Sequence, residues 1–263
     1  MKLIRWGAAV AAAVAAAVVA APVALGAPGP VAKAAAGVEA VAMSEHGTEL
    51  VAFNSARPQA ATIIGKVTGL KSGDSLVGID YRPKDRRLYG VGKTGTVYRL
   101  DDRTAAATSV GKLSRKLEGG SFDIDFTPAG DQLRIISDIG QNLRQPFGAD
   151  GVSGATVAEG KLSRKNVTAM AYDASGRLID IDTAKAQLVV QDPATGKLTD
   201  LGGPGAFPKM SSLSNGIDIA RGVAIAVVNL DHVHTLFSVD VTKGTATRIG
   251  AFSGHVTDLS IKR

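Results

Sequence analysis

The sequence contains no cysteine among its 263 residues. This absence excludes disulfide bonds, thiol nucleophiles, iron–sulfur clusters and cysteine-based zinc sites, so stability has to come from packing. Aromatic residues are scarce, at 5% of the chain, whereas glycine occurs 31 times. Abundant glycine with few aromatic residues favours short strands and tight turns over long helices. A hydrophobic content of 45% is sufficient for one packed domain.

The sequence also lacks a strong charge of one sign once its first segment is set aside. The whole chain carries 30 Lys and Arg against 24 Asp and Glu, a formal charge of +6. Residues 1–36 hold Lys2, Arg5 and Lys33 and no acid, which leaves 27 bases against 24 acids, or +3, for the rest. A charge this small, without a dense basic face, gives no support to a nucleic-acid partner.

The first 36 residues are typical of a secretory leader. Lys2 and Arg5 precede an almost pure Ala/Val run, residues 10–23, and small residues follow through Ala36. This order predicts a cleaved general-secretion signal peptide and an extracellular or cell-envelope location. The alternative is an uncleaved membrane anchor, for which the Ala-rich run is short. We expect no stable membrane span after the leader is removed.

A unit of four short strands recurs along the rest of the chain. The last strand of each unit ends in a glycine, and these glycines lie 46, 49, 42 and 48 residues apart: Gly65, Gly111, Gly160, Gly202 and Gly250. A four-stranded sheet with three turns needs about 40–50 residues, which is the period of propeller blades. The sequence therefore predicts an all-β fold, a β-propeller of five four-stranded blades. A six-bladed ring would lack a sixth unit, and an open β-sandwich does not explain the regular spacing.

The two ends of the repeat complement each other. Residues 38–70 supply three strands of a blade, whereas residues 255–262 hold a first strand with no second strand after it. We predict that this C-terminal strand completes the N-terminal blade, which removes two exposed sheet edges. The whole propeller is a single predicted domain, residues 37–263, whose other blades are expected at 76–113, 121–160, 167–203 and 214–252.

Acidic residues recur on the first strand of the predicted blades, the strand that lines the central axis. Residues two apart share one face of a strand, so the third and fifth positions face the axis together. These positions include Asp80, Asp123, Asp125 and Asp218, and also Asp258. One interpretation is a channel-mouth site for a polar ligand or a hard cation such as Ca²⁺, with Asp80, Asp125 and Asp218 as oxygen ligands. The alternative, which we prefer, is that each carboxylate caps a turn or accepts backbone N–H bonds.

A second polar cluster lies in the third predicted blade. Arg134 follows the acidic strand, and Gln141, Asn142 and Arg144 stand close together after it. Because Arg can bind a carboxylate or phosphate with two hydrogen bonds, these residues are candidates for a ligand rim on one propeller face. The alternative is that they fix the connection 145–154 onto a neighbouring blade, and that Arg134 or Arg144 pairs with a nearby aspartate.

Other chemistry has little support in the sequence. His232 and His234 share one face of a predicted exposed strand, but a metal site would need a third ligand and no other histidine is near them. Basic stretches such as 82–87 are predicted to be exposed loop charges that keep the surface soluble. The sequence has no Gly-x-Ser-x-Gly elbow, phosphate-binding loop or dinucleotide fingerprint.

Residues 122–144, FDIDFTPAGDQLRIISDIGQNLR, resemble the signature of an uncharacterised bacterial secreted family, the domain of unknown function four-three-nine-four. Its members carry the segments DFNP, DRLR and GQNLR, matched here at 125–128, 131–134 and 140–144. Thr127 stands where the family usually has Asn, and Ile179 where it usually has Tyr, so a shared ligand role at these positions does not follow. The resemblance implies a secreted β-propeller-like domain and supplies no catalytic residues.

These features predict a secreted, non-catalytic β-propeller, a binding or scaffolding module that presents one face to a small polar ligand or a protein partner. The alternative is a metal-dependent propeller hydrolase or lyase that uses the axial aspartates. A third possibility is a cell-envelope structural protein tethered by an uncleaved leader. We expect a monomer with no required cofactor, and Ca²⁺ is the candidate ion.

Overall fold

The computed structural model of the protein describes residues 37–263, so the predicted leader lies outside the described residues. Twenty strands form five four-stranded antiparallel sheets. Two single-turn 3-10 helices, Glu45–Gly47 and Pro58–Ala60, connect strands of the first sheet. Within the described residues, neither helix is long and apolar enough to cross a membrane.

Each sheet is one blade, and the blades follow one another along the chain. Blade 1 contains β1 (Glu39–Ser44), β2 (Glu49–Asn54), β3 (Thr62–Lys66) and β20 (Asp258–Ile261). Blade 2 contains β4 (Leu76–Tyr81), β5 (Leu88–Gly92), β6 (Thr96–Leu100) and β7 (Ala107–Lys112). Blade 3 contains β8 (Phe122–Phe126), β9 (Gln132–Ser137), β10 (Asn142–Pro146) and β11 (Val157–Ala158).

The longest strands lie in blade 5, the last blade. Blade 4 contains β12 (Val167–Tyr172), β13 (Leu178–Asp182), β14 (Gln187–Gln191) and β15 (Leu198–Leu201). Blade 5 contains β16 (Gly216–Ala220), β17 (Val223–Leu230), β18 (Val233–Asp240) and β19 (Thr245–Ala251). The innermost strands β4, β8, β12, β16 and β20 touch one another in a closed order. The predicted all-β, five-bladed propeller is confirmed.

Blade 1 is assembled from both ends of the described chain. Strand β20 pairs antiparallel with β1, so that Ala40 lies opposite Ile261 and Met43 lies opposite Asp258. The side chains of β20 alternate as strand geometry requires. Leu259 and Ile261 enter the apolar cluster between blades 5 and 1, and the two polar residues that alternate with them, Asp258 and Ser260, face the axis.

In three of the five blades, the recurring glycine near the end of the outer strand lies at a β-bulge. In each, the register shifts by one residue beside the glycine, at Gly65, Gly111 and Gly250. Such a bulge adds one residue to the outer strand and increases its twist. At Gly111, φ is +143° and an added Cβ would lie 2.5 Å from the Cβ of Val152, so a side chain would clash there.

Five apolar clusters form the core, each between two neighbouring blades. Arg82 is a charged residue within this packing, since it is 1% exposed between blades 2 and 3. Its guanidinium lies 4.9 Å from the ring centroid of Phe147, and its Nε donates to the Gly130 carbonyl. The prediction that the stretch 82–87 consists of exposed loop charges is therefore wrong for Arg82, because the cation joins two blades instead of facing water.

Replacing Leu259 by Ala tests how much the packing of β20 stabilises the ring. Leu259 is 1% exposed in the cluster between blades 5 and 1, so we expect Leu259→Ala to lower the free energy of unfolding by about 2–5 kcal/mol. Urea titration followed by circular dichroism measures the change. Ile63→Ala, on the outer strand of the same blade and 69% exposed, is the control and should change stability by less than about 0.5 kcal/mol. Equal effects of both substitutions would contradict this account.

Candidate functional site

The predicted axial aspartates face the propeller axis and are buried. Asp80, Asp123, Asp125 and Asp218 are each 1–2% exposed, and Asp258 is 2% exposed. They form two layers because the axial positions lie two residues apart on each innermost strand. Asp123 and Asp258 occupy the layer near the strand starts, and the other three occupy the layer near the strand ends.

In the layer near the strand ends, each aspartate accepts a hydrogen bond from the backbone of the next blade. Asp80 accepts the Phe126 N–H at 2.9 Å and Asp125 accepts the Tyr172 N–H at 2.8 Å. Asp218 accepts the Ile261 N–H at 2.6 Å. A buried carboxylate costs free energy unless hydrogen bonds compensate its lost hydration, and here the compensating donors belong to a neighbouring sheet.

The same kind of hydrogen bond, from a backbone N–H of the next blade, recurs in the other layer and at β20. Asp123 accepts the Met170 N–H at 2.6 Å, and Asp258 accepts the Ile79 N–H at 2.8 Å. Ser260 takes the place of an aspartate, because its Oγ accepts the Tyr81 N–H at 3.0 Å. These side chains therefore connect four of the five neighbouring pairs of innermost strands.

The series of axial side-chain acceptors is interrupted between blades 4 and 5. Strand β12 carries Ala169 and Ala171 at the two axial positions, so it has no side-chain acceptor for β16. The two alanines pack instead against Ile217 and Ile219. Among the described residues, no axial carboxylate bridges this pair of strands.

Three carboxylates and one guanidinium meet at the end of the axis. Oxygen atoms of Asp80, Asp125 and Asp218 lie within 4.8 Å of one another. The Ser260 hydroxyl lies 2.8 Å from Asp80 Oδ1 and 2.9 Å from Asp218 Oδ2, so its single proton serves one of them at a time. Arg263 Nη2 lies 3.3 Å from Asp218 Oδ1 and 3.8 Å from Asp80 Oδ1. Local sequence does not predict a role for Arg263, because nothing in its neighbouring residues indicates that it reaches the axis.

Burial is the largest cause of raised pKa values in this group. Burial, together with the charge of Asp218, raises the pKa of Asp80 to about 7. Burial raises the pKa of Asp258 to about 8. It also raises the pKa of Asp123, Asp125 and Asp218 above the ordinary range of an aspartate. Near neutral pH the axial acids therefore hold part of their protons, which lowers the charge that Arg263 has to balance.

Hydrogen bonds within the protein already occupy part of the predicted calcium site. Calcium prefers six to eight oxygen ligands, whereas one oxygen of each member of the Asp80, Asp125 and Asp218 group already accepts a backbone N–H. Arg263 also occupies the approach to Asp218. A calcium ion would have to compete with this cation, and calcium binding stays a prediction.

A cavity of about 800 Å³ opens over the interrupted junction and the Arg263 guanidinium. Its walls come from the ends of the innermost strands and from blade 5, including Phe126, Tyr172, Val223 and Val239. This volume falls in the range of small-molecule sites, and such sites combine apolar walls with a few convergent polar groups. Two further arginines, Arg177 and Arg221, line the same cavity.

The second predicted cluster lies in blade 3 and contacts backbone groups. Asn142 Nδ2 donates to the Gly160 carbonyl at 2.9 Å and to the Pro193 carbonyl at 3.0 Å, which joins blades 3 and 4. Gln141 Nε2 donates to the Lys116 carbonyl at 2.9 Å. The connection 145–154 is held by Gln145, whose Nε2 donates to the Ser153 carbonyl at 3.1 Å.

The two arginines of this cluster have different partners. Arg134 is 4% exposed and donates through Nε to the Tyr172 hydroxyl at 2.8 Å. Arg144 pairs with Glu159, with Nε 2.5 Å from Oε1, instead of with an aspartate. Since Asn142 and Arg134 are buried, a ligand could reach only the outer members of the group, and the ligand-rim role stays a prediction.

The structure brings together histidines that the sequence does not connect. His234 is 3% exposed, and its ring centroid lies 4.4 Å from that of His255, which lies 4.6 Å from that of His46. The prediction that both histidines are exposed is wrong for His234, and the prediction that they share a strand face is wrong because His232, although exposed, lies outside the strand. His232 lies in the turn before β18 with a φ of 67°, and His234 is buried.

The Nε2 atom of His234 is occupied by a hydrogen bond within the protein. Asn229 Oδ1 already accepts bonds from the Ser211 hydroxyl and from the His232 N–H, so Asn229 Nδ2 donates to His234 Nε2 at 3.2 Å. Burial, together with the charge of His255, lowers the pKa of His234 to about 4. The ring is therefore neutral over the physiological range and serves as a buried hydrogen-bonded side chain.

The raised pKa values predict that the protein loses stability as pH rises above neutrality. The ordinary aspartate pKa is 3.8, so between pH 6.5 and 8.5 the unfolded acids are ionised while the native Asp80 and Asp258 release protons. The native state then binds more protons than the unfolded state, and stability falls by about 2 kcal/mol over this interval. His234 opposes this trend by less than about 0.5 kcal/mol, because its native ring is neutral while the unfolded imidazole, with an ordinary pKa of 6.5, is still half protonated at pH 6.5.

Urea unfolding at a series of pH values measures this slope. Asp258→Asn should make the slope shallower, because one titrating group is removed. Asp101→Asn is the control: Asp101 is exposed, and backbone N–H bonds from Arg103 and Thr104 lower its pKa, so its contribution changes only below the ordinary aspartate pKa. A stability that is constant or increases between pH 6.5 and 8.5 would show that the axial acids are ionised in the native state.

The fold resembles that of a solved structure of unknown function. A structural genomics protein of unknown function from Bacteroides thetaiotaomicron superposes with a TM-score of 0.50 at 12% identity, covering 88% of this chain and 68% of that one. A chain of the nidogen–laminin complex superposes with a TM-score of 0.47 at 9% identity, covering 86% and 98%. Identities this low show similarity of fold alone. No curated protein matches the chain in sequence.

The sequence itself carries a family signature that covers most of the propeller. The match extends over residues 49–260, from the second strand of blade 1 to the closing strand β20. It includes all the predicted axial aspartates and the cluster from Arg134 to Arg144. The predicted family resemblance is confirmed: the chain belongs to the family described as Domain of unknown function (DUF4394).

Proposed function

We propose that this protein is an exported, non-catalytic binding module that holds a small ligand in the cavity at the end of the propeller axis. The observation that carries the proposal is the cavity of about 800 Å³ over the junction of β12 and β16. The export part of the proposal rests on the leader-like residues 1–36. It is tested separately, by mass spectrometry of the N-terminus of protein recovered from outside the cell.

Two features make this cavity suited to binding. The five blades are joined by buried hydrogen bonds, so the walls belong to a rigid scaffold, on which binding residues are commonly presented. The cavity lies at the one junction where alanines replace the bridging aspartates, and it has both apolar walls and arginine side chains. A rigid, partly apolar concavity with few polar groups is the usual form of a small-molecule site.

The alternative function, a metal-dependent hydrolase or lyase at the axial aspartates, has one observation in its favour. Asp80, Asp125 and Asp218 are close enough for one ion to contact all three. Their hydrogen bonds to backbone N–H groups and the nearby Arg263 support a role in joining blades more directly than a role as metal ligands.

Filling the cavity should abolish ligand binding. Val223 lies at the start of β17 on the cavity wall, and Val223→Trp places a large ring in the space. We expect at least one of three probes of similar size, benzoate, benzyl alcohol and benzylamine, to bind the unaltered protein in saturation-transfer NMR. This signal should disappear in Val223→Trp.

The control for this experiment lies at the opposite mouth of the axis. Ser121 lines a smaller cavity there, so Ser121→Trp should leave probe binding unchanged. If Val223→Trp does not fold, Val241→Trp on the same cavity provides the second variant. Binding of none of the probes to the unaltered protein, or binding that persists in the filled cavity, would contradict the proposed function.

The effect of calcium on the melting temperature distinguishes the proposed binding module from the metal-dependent alternative. If the axial acids serve to join blades, adding calcium chloride to protein dialysed against a chelator should leave its melting temperature unchanged at pH 7.5. A metal site would instead raise the melting temperature as ligand binding stabilises the native state. Magnesium chloride at the same concentration is the control for ionic strength. A rise produced by calcium alone, lost in Asp125→Asn, would favour the metal-dependent alternative.

A further inference from the structure

The polar groups of the cavity over β12 and β16 indicate the charge of its ligand. Building on the proposed function, we infer that the cavity takes a small organic anion, whose carboxylate or phosphate group is bound by Arg221 and Arg263. Acidic and basic side chains both line the cavity, and only groups with unused hydrogen-bonding capacity can recognise a ligand.

The acidic side chains of the lining are already satisfied by the protein. Asp173 accepts hydrogen bonds from the Ser175 N–H and hydroxyl, from the Arg177 N–H and from Arg177 Nε, at 2.6–3.0 Å. Asp240 Oδ1 accepts the N–H groups of Thr242 and Lys243, each at 3.0 Å. Lys243 Nζ lies 3.5 Å from the other oxygen of Asp240. Neither carboxylate has the freedom to recognise a cationic ligand.

The arginines of the lining differ in how far they are satisfied. Arg177 already has acceptors within the protein, since it donates to Asp173 through Nε and to the Val241 carbonyl through Nη2 at 3.1 Å. Arg221 is exposed, and its side chain makes no hydrogen bond or ion pair with any described residue. It is held at the turn between β16 and β17 with a φ of 56°, so its Cα position over the cavity is set by the hairpin.

Arg263 provides the second unsatisfied guanidinium. Its contacts are long, 3.3 Å to Asp218 Oδ1 and 3.4 Å to the Ile219 carbonyl, and its Nε is buried without a hydrogen-bond partner. The side chain is only 18% exposed and lines the cavity. A buried N–H without a partner costs free energy until an acceptor reaches it, and an oxyanion in the cavity would supply one.

The rest of the lining indicates that the anion carries an apolar body. Phe126, Tyr172, Val223 and Val239 contribute apolar surface beside the two arginines. Inorganic phosphate alone would leave this surface in contact with water. An anionic head group on an aromatic or aliphatic body satisfies both parts of the cavity, since the arginines bind the charge and the apolar walls bury the body.

Four probes of similar size test the inference by isothermal titration calorimetry. We expect benzoate or phenyl phosphate to bind at least about tenfold more tightly than benzyl alcohol or benzylamine, because hydrogen bonds between ionised groups are stronger than those to neutral groups. Preference for benzoate or for phenyl phosphate distinguishes a carboxylate from a phosphate ligand. Arg221→Asn, which suits the positive φ, should weaken binding of the preferred anion about fivefold or more.

Arg86→Asn is the matched control for this substitution. Arg86 is exposed with a φ of 58°, in the equivalent turn between β4 and β5, and does not line the cavity. Arg86→Asn should leave anion binding unchanged. If binding weakens equally in both variants, the cause is a general effect of surface charge, and the inference is overturned. If benzyl alcohol or benzylamine binds as tightly as the anions, the inference that the ligand is an anion is overturned, while the proposed function remains intact. Absence of binding by all four probes would reject the proposed function itself.

Discussion

The hydrogen bond from a backbone N–H of one blade to a buried axial carboxylate of the preceding blade is the interaction on which this propeller depends. Asp80, Asp125 and Asp218 make it in one layer, and Asp123 and Asp258 make it in the other. Apart from a few polar contacts such as those of Arg82 and Asn142, neighbouring blades contact each other through apolar side chains, which are non-directional and tolerate sliding. A buried carboxylate fixes the relative position of two sheets, because an unmade hydrogen bond in the interior would be costly.

The same interaction explains why the site lies where it does. Bridging needs a side-chain acceptor at an axial position, and β12 offers only Ala169 and Ala171. The junction between blades 4 and 5 is consequently apolar at the axis, and the cavity opens above it. The carboxylates that close the other junctions hold Arg263 by contacts of 3.3 and 3.8 Å, so the structural acids also position a cation at the base of the cavity.

The fold was largely predictable from the sequence, and the chemistry of individual side chains was less so. The spacing of Gly65, Gly111 and Gly250 predicts blades because each ends an outer strand beside a bulge. The family resemblance followed from the continuous stretch 122–144. In contrast, Arg82 resembles an exposed loop charge until its neighbours Phe147 and Gly130 are known, since these belong to the next blade. Local sequence contains no information about partners that are about 50 residues away in the chain.

Sequence alone determined the number of strands, their grouping in fours and the alternation that turns Asp123 and Asp125 toward the axis, because these properties depend on local periodicity. Tertiary structure decided what the aspartates do there. Their partners are the backbone N–H groups of Met170 and Tyr172, and every residue other than proline carries such a group. Only the packing of one blade against the next selects which of these identical donors lies within reach of a given carboxylate.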